Sequence, residues 1–143
     1  MQKLKRKKTI GIIIIVILVL GFVIVRNNLG NVSDVEIGNC SSKIFTEKEI
    51  KSAMKAVKKD FGRNFEGCNL NKLWYDEEIN LLQESEGKEK YNKLEISITA
   101  EFYIRPGCGD GSMKDDQTYS GYNWILTRES EDHKWIVKDH GYC

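Results

Sequence analysis

The stretch LEISITAEFYIR, residues 94–105, alternates apolar and polar side chains along its whole length. Side chains of a β-strand point to the two faces of the sheet in turn, so this alternation predicts a long strand with one buried and one solvated face. The expected buried residues are Leu94, Ile96, Ile98, Ala100, Phe102 and Ile104, and the expected solvated ones are Glu95, Ser97, Thr99, Glu101, Tyr103 and Arg105. This strand decides the fold, because the other predicted elements pack or pair against it.

Three further segments are predicted to extend the sheet. A short extended segment is expected over residues 70–75. The segments YNWILTR (122–128) and KWIVKD (134–139) flank the turn-forming ESEDH (129–133), a pattern typical of a β-hairpin. Together with residues 94–105 they predict an antiparallel meander of three to four strands.

The segment before these strands is predicted to be one long helix. Thr46 and Glu49 have the spacing of a capping box, in which each side chain bonds the other residue's backbone N–H. An apolar stripe at helical spacing follows, and it consists of Ile50, Ala53, Met54, Val57 and Phe61. A helix with one apolar stripe packs on the apolar face of a sheet, so we expect a two-layer α+β domain.

The first 25 residues predict where the protein lies in the cell. Residues 1–8 hold five basic side chains, and residues 9–25 (TIGIIIIVILVLGFVIV) are uncharged. At about 1.5 Å per residue, a helix over 9–25 would be roughly 25 Å long, enough to cross a thin bilayer. Because the basic residues come first, we expect a single-pass protein of the cell membrane with a cytoplasmic N-terminus and an extracellular C-terminal domain. The apolar run ends in VIVRNN rather than in small residues, which favours an uncleaved transmembrane signal-anchor over a cleavable signal peptide.

The chain is accordingly divided into four parts. These are a cytoplasmic basic tail (1–8), the transmembrane signal-anchor helix (9–25), a polar linker (26–42) and an extracytoplasmic domain (43–143). The first 26 positions hold six of the 22 basic residues and none of the 21 acidic ones, which leaves 16 basic against 21 acidic residues, net −5, in the remainder. An acidic outer part argues against nucleic acid as a partner, since such surfaces need clustered Lys and Arg. We expect contact with the membrane through residues 9–25, a protein or small-molecule partner, and some self-association into a homo-oligomer.

Four cysteines, Cys40, Cys68, Cys108 and Cys143, lie on the predicted outer side of the membrane, where disulfides form and persist. In a meander, the strand before Cys108 and the strand before Cys143 end at the same edge of the sheet, which favours a Cys108–Cys143 bond. Cys40–Cys68 is then left, with Cys40–Cys143 as the chief rival. A zinc site is disfavoured, because the sequence has no CxxC motif and its two histidines are not at ligand spacing.

The loop GCGDGSMKDDQTYSG, residues 107–121, is rich in glycine and in acidic residues. An EF-hand loop beginning at Asp110 would need acids and a glycine where the chain has Ser112, Lys114 and Asp115, and no Gly-Lys-Ser or Gly-Lys-Thr follows the glycines. We therefore interpret this stretch as a long connection between two strands. The residues kept as candidates for ligand binding are Trp74, Asp76, Asp110, Asp115 and Asp116, while no metal site, cofactor or catalytic residue is predicted.

Several motifs in residues 45–142 resemble a known group of proteins. The stretches FTEKEIKSAMKAVKKDFGRNFEGCNLNKLWYDEE, GDGSM and YNWILTRESEDHKWIVKDHGY occur in that order. They are similar to an uncharacterised bacterial extracytoplasmic domain family of the nuclear-transport-factor-2-like (NTF2-like), or cystatin-like, superfamily. The resemblance implies a curved antiparallel sheet wrapped on a long first helix, often behind a lipid or helical anchor, and it brings no established activity. The chain departs from that family in Cys108, in Cys143 and in a short 77–92 region.

These observations predict a membrane-anchored extracytoplasmic binding or sensing module rather than an enzyme. Enzymes of the superfamily that the chain resembles place an Asp base and a Tyr donor inside the cone of the sheet, and Tyr75, Asp76 and Tyr103 are of those types. Alternation, however, places Tyr103 on the polar face of its strand, and bridged cysteines supply no nucleophile. Two alternatives remain open, namely a scaffold subunit of a cell-envelope assembly such as a conjugative secretion machine, and a small-molecule enzyme of the same superfamily.

Overall fold

The computed structural model describes residues 2–85 and 93–142 of the 143-residue chain. Its elements follow the chain in the order α1 (Gln2–Asn28), β1 (Glu36–Ile37), α2 (Glu47–Asn64), β2 (Cys68–Trp74), α3 (Glu77–Ser85), β3 (Glu95–Ile104), β4 (Gln117–Thr127) and β5 (Ile136–Gly141). The strands form one five-stranded sheet in the order β1-β2-β3-β4-β5. Strands that follow one another in the chain are therefore neighbours in the sheet.

The sheet is mixed, so the prediction of an antiparallel sheet of three to four strands is wrong. Strands β2 to β5 form the expected antiparallel meander, but β1 adds a fifth strand that runs parallel to β2, with Ile37 opposite Leu73. The N–H of Gly38 donates to the carbonyl of Leu73 at 2.8 Å and extends this pairing. Strand β1 lies inside the segment 26–42 and has only two residues, too few to show the alternation by which strands are recognised.

The prediction of a transmembrane helix at residues 9–25 is also not borne out. Helix α1 covers that segment, and the exposed apolar side chains that the structure describes along it run from Ile10 to Val23. Among the residues that the structure describes, no helix combines the length and the apolar character that crossing a membrane requires.

The core lies between α2 and one face of the sheet. The predicted capping box is present, because the N–H of Glu49 donates to Thr46 Oγ1 (3.3 Å) and the N–H of Thr46 donates to Glu49 Oε2 (2.9 Å). The apolar stripe of α2 is buried as predicted, and it consists of Ile50, Ala53, Met54, Val57 and Phe61. It packs in one cluster with buried residues of the strands, among them Leu73, Ile98, Phe102 and Trp124. The periodic pattern therefore predicted both this helix and its buried face.

The second face of β3 is less solvated than its alternation predicts. Ser97 and Thr99, which were expected to face solvent, are 0% and 2% exposed. Helix α3 covers Ser97, whose N–H donates to Asn80 Oδ1 (2.8 Å) and whose carbonyl accepts from Asn80 Nδ2 (3.1 Å). The Thr99 hydroxyl donates to Asn123 Oδ1 on β4 at 2.8 Å. Neighbouring elements thus satisfy the Ser97 backbone and the Thr99 hydroxyl, while the buried Ser97 hydroxyl has no hydrogen-bond partner among the described residues.

One buried cation joins the start of α2 to the sheet. The Arg128 side chain is 2% exposed, and its guanidinium lies 2.6 Å from the Glu49 carboxylate. The same group donates to the carbonyl of Lys93 (2.8 and 3.0 Å) and lies 4.2 Å from the centre of the Trp135 ring. Burial acts to raise the pKa of Glu49, but hydrogen bonds from Thr46 and Arg128 outweigh it and lower the pKa to about 2. The N-terminus of α2 is therefore held by a charge pair as well as by its cap.

The predicted disulfides are not found among the described residues, where Cys40, Cys68 and Cys108 are free thiols. Cys143, to which two of the predicted bonds extend, lies outside the described residues. The Cys40–Cys68 pairing is wrong because β1 pairs with the last residues of β2, so that Cys40 lies at that end of the strand, while Cys68 begins it. A strand of this length spans about 20 Å, whereas a disulfide needs its two Cα atoms within about 7 Å.

Candidate functional site

A cavity lined by aromatic rings opens between the C-terminal end of α2, the sheet and the loop after β3. Its volume is about 680 Å³, which lies in the range of roughly 300–1,000 Å³ typical of small-ligand pockets. The loop contributes residues 107–110, 112 and 113 to its rim. We call this recess the aromatic cavity, and its main lining residues are Phe65, Cys68, Phe102, Met113, Tyr122 and His140.

One wall of the aromatic cavity is a set of rings that pack edge to face around Phe65. Phe65 follows α2 directly, and its N–H donates to the carbonyl of Phe61 at 3.0 Å and closes the helix. The Phe65 ring lies 5.6 Å from Phe102 at 72° and 6.1 Å from Tyr122 at 82°. It also lies 5.2 Å from the His140 ring. Edge-to-face contacts fix ring orientations, so this wall is formed without a ligand.

Two polar groups on this wall are paired with each other. Tyr122 on β4 and His140 on β5 share a hydrogen bond of 2.9 Å between the phenol oxygen and Nδ1. Burial, followed by the nearby Tyr142 and Asp139, raises the pKa of Tyr122, so its hydroxyl is neutral at physiological pH. The aromatic cavity therefore combines an apolar wall with a neutral phenol and an imidazole, the composition of a site that recognises a mostly apolar molecule by one or two hydrogen bonds.

Two thiols also border the aromatic cavity. Burial and the adjacent Cys108 raise the pKa of Cys68 to about 11, so its thiol is protonated at neutral pH and is a weak nucleophile. Gly67, the residue before it, has φ +73°, and a Cβ at this position would overlap the Cβ of Cys108. Only glycine accommodates both this backbone conformation and this close approach, so Gly67 allows the loop to fold against β2.

The loop acids predicted as ligand-binding residues are engaged within the loop and its neighbours. Asp110, which lines the aromatic cavity, accepts from the Ser112 hydroxyl (2.6 Å) and N–H (2.9 Å), and these bonds lower its pKa. Asp115 accepts from the N–H of Gly107, and Asp116 accepts from the Tyr103 hydroxyl at 2.7 Å. These bonds shape the loop, and of the three acids the structure places Asp110 at the cavity.

The other two candidates, Trp74 and Asp76, lie away from the aromatic cavity. Trp74 is half-buried at the end of β2 and lines a shallow recess of about 410 Å³ with Lys72 and Glu101. Asp76 accepts from the N–H groups of Glu78 (2.9 Å) and Ile79 (3.4 Å), where α3 begins. The structure therefore does not bring the five predicted residues into one site.

Sequence reasoning missed the aromatic cavity, although one signal for it was present. Phe102, Tyr122 and Trp124 lie on adjacent strands at positions that share a face, and they are all aromatic. Such spacing predicts ring contacts, but it does not distinguish rings that fill a core from rings that line a cavity. Phe65, which completes the wall, comes from the end of a helix far away in the sequence.

The described residues contain no group of three or more His, Cys, Asp or Glu side chains placed to hold a metal ion.

Comparison with known proteins found no matching family model, no matching curated protein and no matching solved structure. The resemblance to the NTF2-like superfamily therefore stays a prediction.

Proposed function

We propose that this protein is a binding or sensing module that takes a small, mostly apolar molecule in the aromatic cavity. The observation that carries the proposal is the preformed ring wall around Phe65 with the Tyr122–His140 hydrogen bond on its surface. A ligand that buries apolar area there gains about 25 cal/mol per Å². The phenol and the imidazole then select ligands that carry a hydrogen-bonding group.

Two further features support binding rather than catalysis. The buried Cys68 thiol is protonated at neutral pH, and Asp110 is occupied by donors from its own loop. Neither group is therefore poised as a nucleophile or a base.

Placement of the module on the outer side of the cell membrane stays a prediction, and protease digestion of intact cells tests it.

A neutral fluorescent probe, N-phenyl-1-naphthylamine, tests the proposal on the full chain. The chain holds three tryptophans and each variant below adds another, so binding is measured by the rise in probe emission on direct excitation of the naphthylamine. We expect saturable binding. Met113→Trp fills the cavity and should weaken binding at least ten-fold, and Ser112→Trp at the rim should weaken it less.

The matched control is Ser120→Trp, which adds the same side chain at an exposed position that borders the shallow recess beside Trp74. This variant should bind the probe within two-fold of the unmodified chain. Equal affinity in the Met113→Trp and Ser120→Trp variants would show that the probe binds elsewhere and would exclude the aromatic cavity as the site.

The outer strand of the sheet favours a second candidate function, that of a scaffold subunit. Strand β5 is last in the sheet order, so its outer edge pairs with no strand of the described residues. Ile136 on this strand is 62% exposed. An unpaired edge with an exposed apolar residue is suited to pairing with another chain. Light scattering should then show a defined multimer that Ile136→Lys converts to monomer, and a monomeric unmodified chain would remove this candidate.

A further inference from the structure

A second recess, separate from the aromatic cavity, runs along α2 beside the segment 37–46. It is a groove of about 1060 Å³. Phe45 and Met54 form its apolar floor and are 5% and 2% exposed. Its rim on the helix holds three lysines at helical spacing, Lys51, Lys55 and Lys58. We call it the lysine groove.

The charge of the lysine groove is opposite to that of the chain around it. Its lining contains three lysines and one acid, Glu47, whereas the chain after Arg26 carries 16 basic against 21 acidic residues. Lys51 is paired with Glu47 one turn away. Lys55 and Lys58 form no ion pair with any described residue. Two cations are thus available beside an apolar floor, in a domain that otherwise repels anions.

The shape of the lysine groove fits an extended segment of chain. The helix bordering it from Glu47 to Lys58 is about 16 Å long at 1.5 Å per residue, the length of roughly five residues of an extended peptide. The lysine row from Lys51 to Lys58 spans about 10 Å along the axis. Alternate side chains of an extended peptide lie ~7 Å apart, so two or three acids on one side of such a peptide match this row.

We infer that the lysine groove binds an extended peptide segment with acidic side chains at alternate positions and apolar side chains between them. The acids pair with Lys55 and Lys58 and compete with Glu47 for Lys51. The apolar side chains contact Phe45 and Met54. The apolar area buried in these contacts adds free energy of binding, whereas ion pairs at an exposed rim contribute little. This inference does not depend on the aromatic cavity, which has different lining residues.

The test uses the full chain and a fluorescein-labelled pentapeptide in which glutamate and valine alternate, with glutamate at both ends. Fluorescence anisotropy measures its affinity for the unmodified chain and for Lys55→Gln/Lys58→Gln. The matched control, Lys48→Gln/Lys59→Gln, removes the same charge from exposed positions of the same helix that do not line the groove. Circular dichroism verifies that both variants keep the helix content of the unmodified chain.

We expect saturable binding, at least a ten-fold loss of affinity in Lys55→Gln/Lys58→Gln, and a change within two-fold in the control. A peptide with glutamine in place of glutamate should bind at least ten-fold more weakly to the unmodified chain. Equal losses in both variants would overturn the inference, because they would show general attraction to net charge. The absence of saturable binding, or displacement of the peptide by dodecanoate or by a single-stranded oligonucleotide at equal concentration, would also overturn it.

Discussion

Helix α2 borders two recesses that differ in nearly every physical property. The aromatic cavity, at the C-terminal end of the helix, is walled by rings that pack edge to face and contains a phenol–imidazole pair. The lysine groove, along the first three turns, has an apolar floor but a cationic rim. One helix thus borders both recesses, and it contributes different residue types to each.

From this difference we expect the charge of a ligand to decide which of the two recesses it binds. A neutral aromatic molecule forms no ion pair with Lys55 or Lys58, and an acidic peptide would be repelled by Asp110 at the rim of the aromatic cavity. The two recesses therefore make separable predictions, because each has a variant that should leave the other unchanged.

The largest expected effect comes from the buried cation that holds the N-terminal half of α2 beside the lysine groove. Arg128→Met leaves the Glu49 carboxylate without its partner and removes the contact with Trp135. Breaking a buried charge pair costs about 3–5 kcal/mol, and urea unfolding should show that loss in the free energy of unfolding. Arg63→Met, at an exposed position in the last turn of α2, should change it by about 0.5 kcal/mol or less. Similar losses in both variants would contradict the structural role of Arg128.

Phe65→Ala should weaken binding in the aromatic cavity and leave binding in the lysine groove unchanged. Removing this half-buried ring deletes its contacts with Phe102 and Tyr122, at a cost of about 2–3 kcal/mol in the free energy of unfolding. Binding of the naphthylamine probe should weaken, while the affinity for the acidic peptide should stay within two-fold. A parallel loss of peptide affinity would show that the two recesses are not independent.

The stability of the protein should fall in acid because of Glu49. Its pKa is lowered to about 2 in the folded chain, against about 4.3 when unfolded, so the unfolded state binds more protons in between. The stabilisation is therefore present above about pH 4.3 and is lost as the pH falls towards 2. We expect a loss of about 2 kcal/mol, less than the full pKa difference implies, because the carboxylate side chain is 22% exposed. Glu49→Gln should remove this part of the pH dependence, and an unchanged slope in that variant would assign it to other carboxylates.

The smallest expected effect is that of salt. Raising the ionic strength from 0.05 to 0.3 M screens exposed charges, so the acidic peptide should lose roughly three- to ten-fold in affinity at the lysine groove. The neutral probe should bind the aromatic cavity equally well at both concentrations. If salt changes the affinities of both ligands equally, the difference in charge between the two recesses does not determine which ligand each one binds.

The sequence predicted the elements whose evidence lies within a few residues, and it failed where distant segments meet. The capping box of Thr46 and Glu49 and the apolar stripe of α2 were read directly from spacing and are present. Ser97 was expected in solvent, but Asn80, on a helix earlier in the chain, covers it. Cys40 was assigned to Cys68 by elimination, although the two lie at opposite ends of β2. Local periodicity carries no information on which element covers a face or which cysteines meet.

The sequence by itself determined α2 with its cap, the long strand β3 and the meander of β2 to β5, because helix and strand periodicities are set by steric preferences of neighbouring residues. The tertiary structure alone decided that β1 joins the sheet in parallel and that Phe65, Phe102, Tyr122 and His140 share one wall. It also decided that Lys55 and Lys58 stand without ion-pair partners among the described residues beside an apolar floor. These features depend on how separate elements pack, and packing is set by the complementarity of whole surfaces rather than by the order of residues within one element.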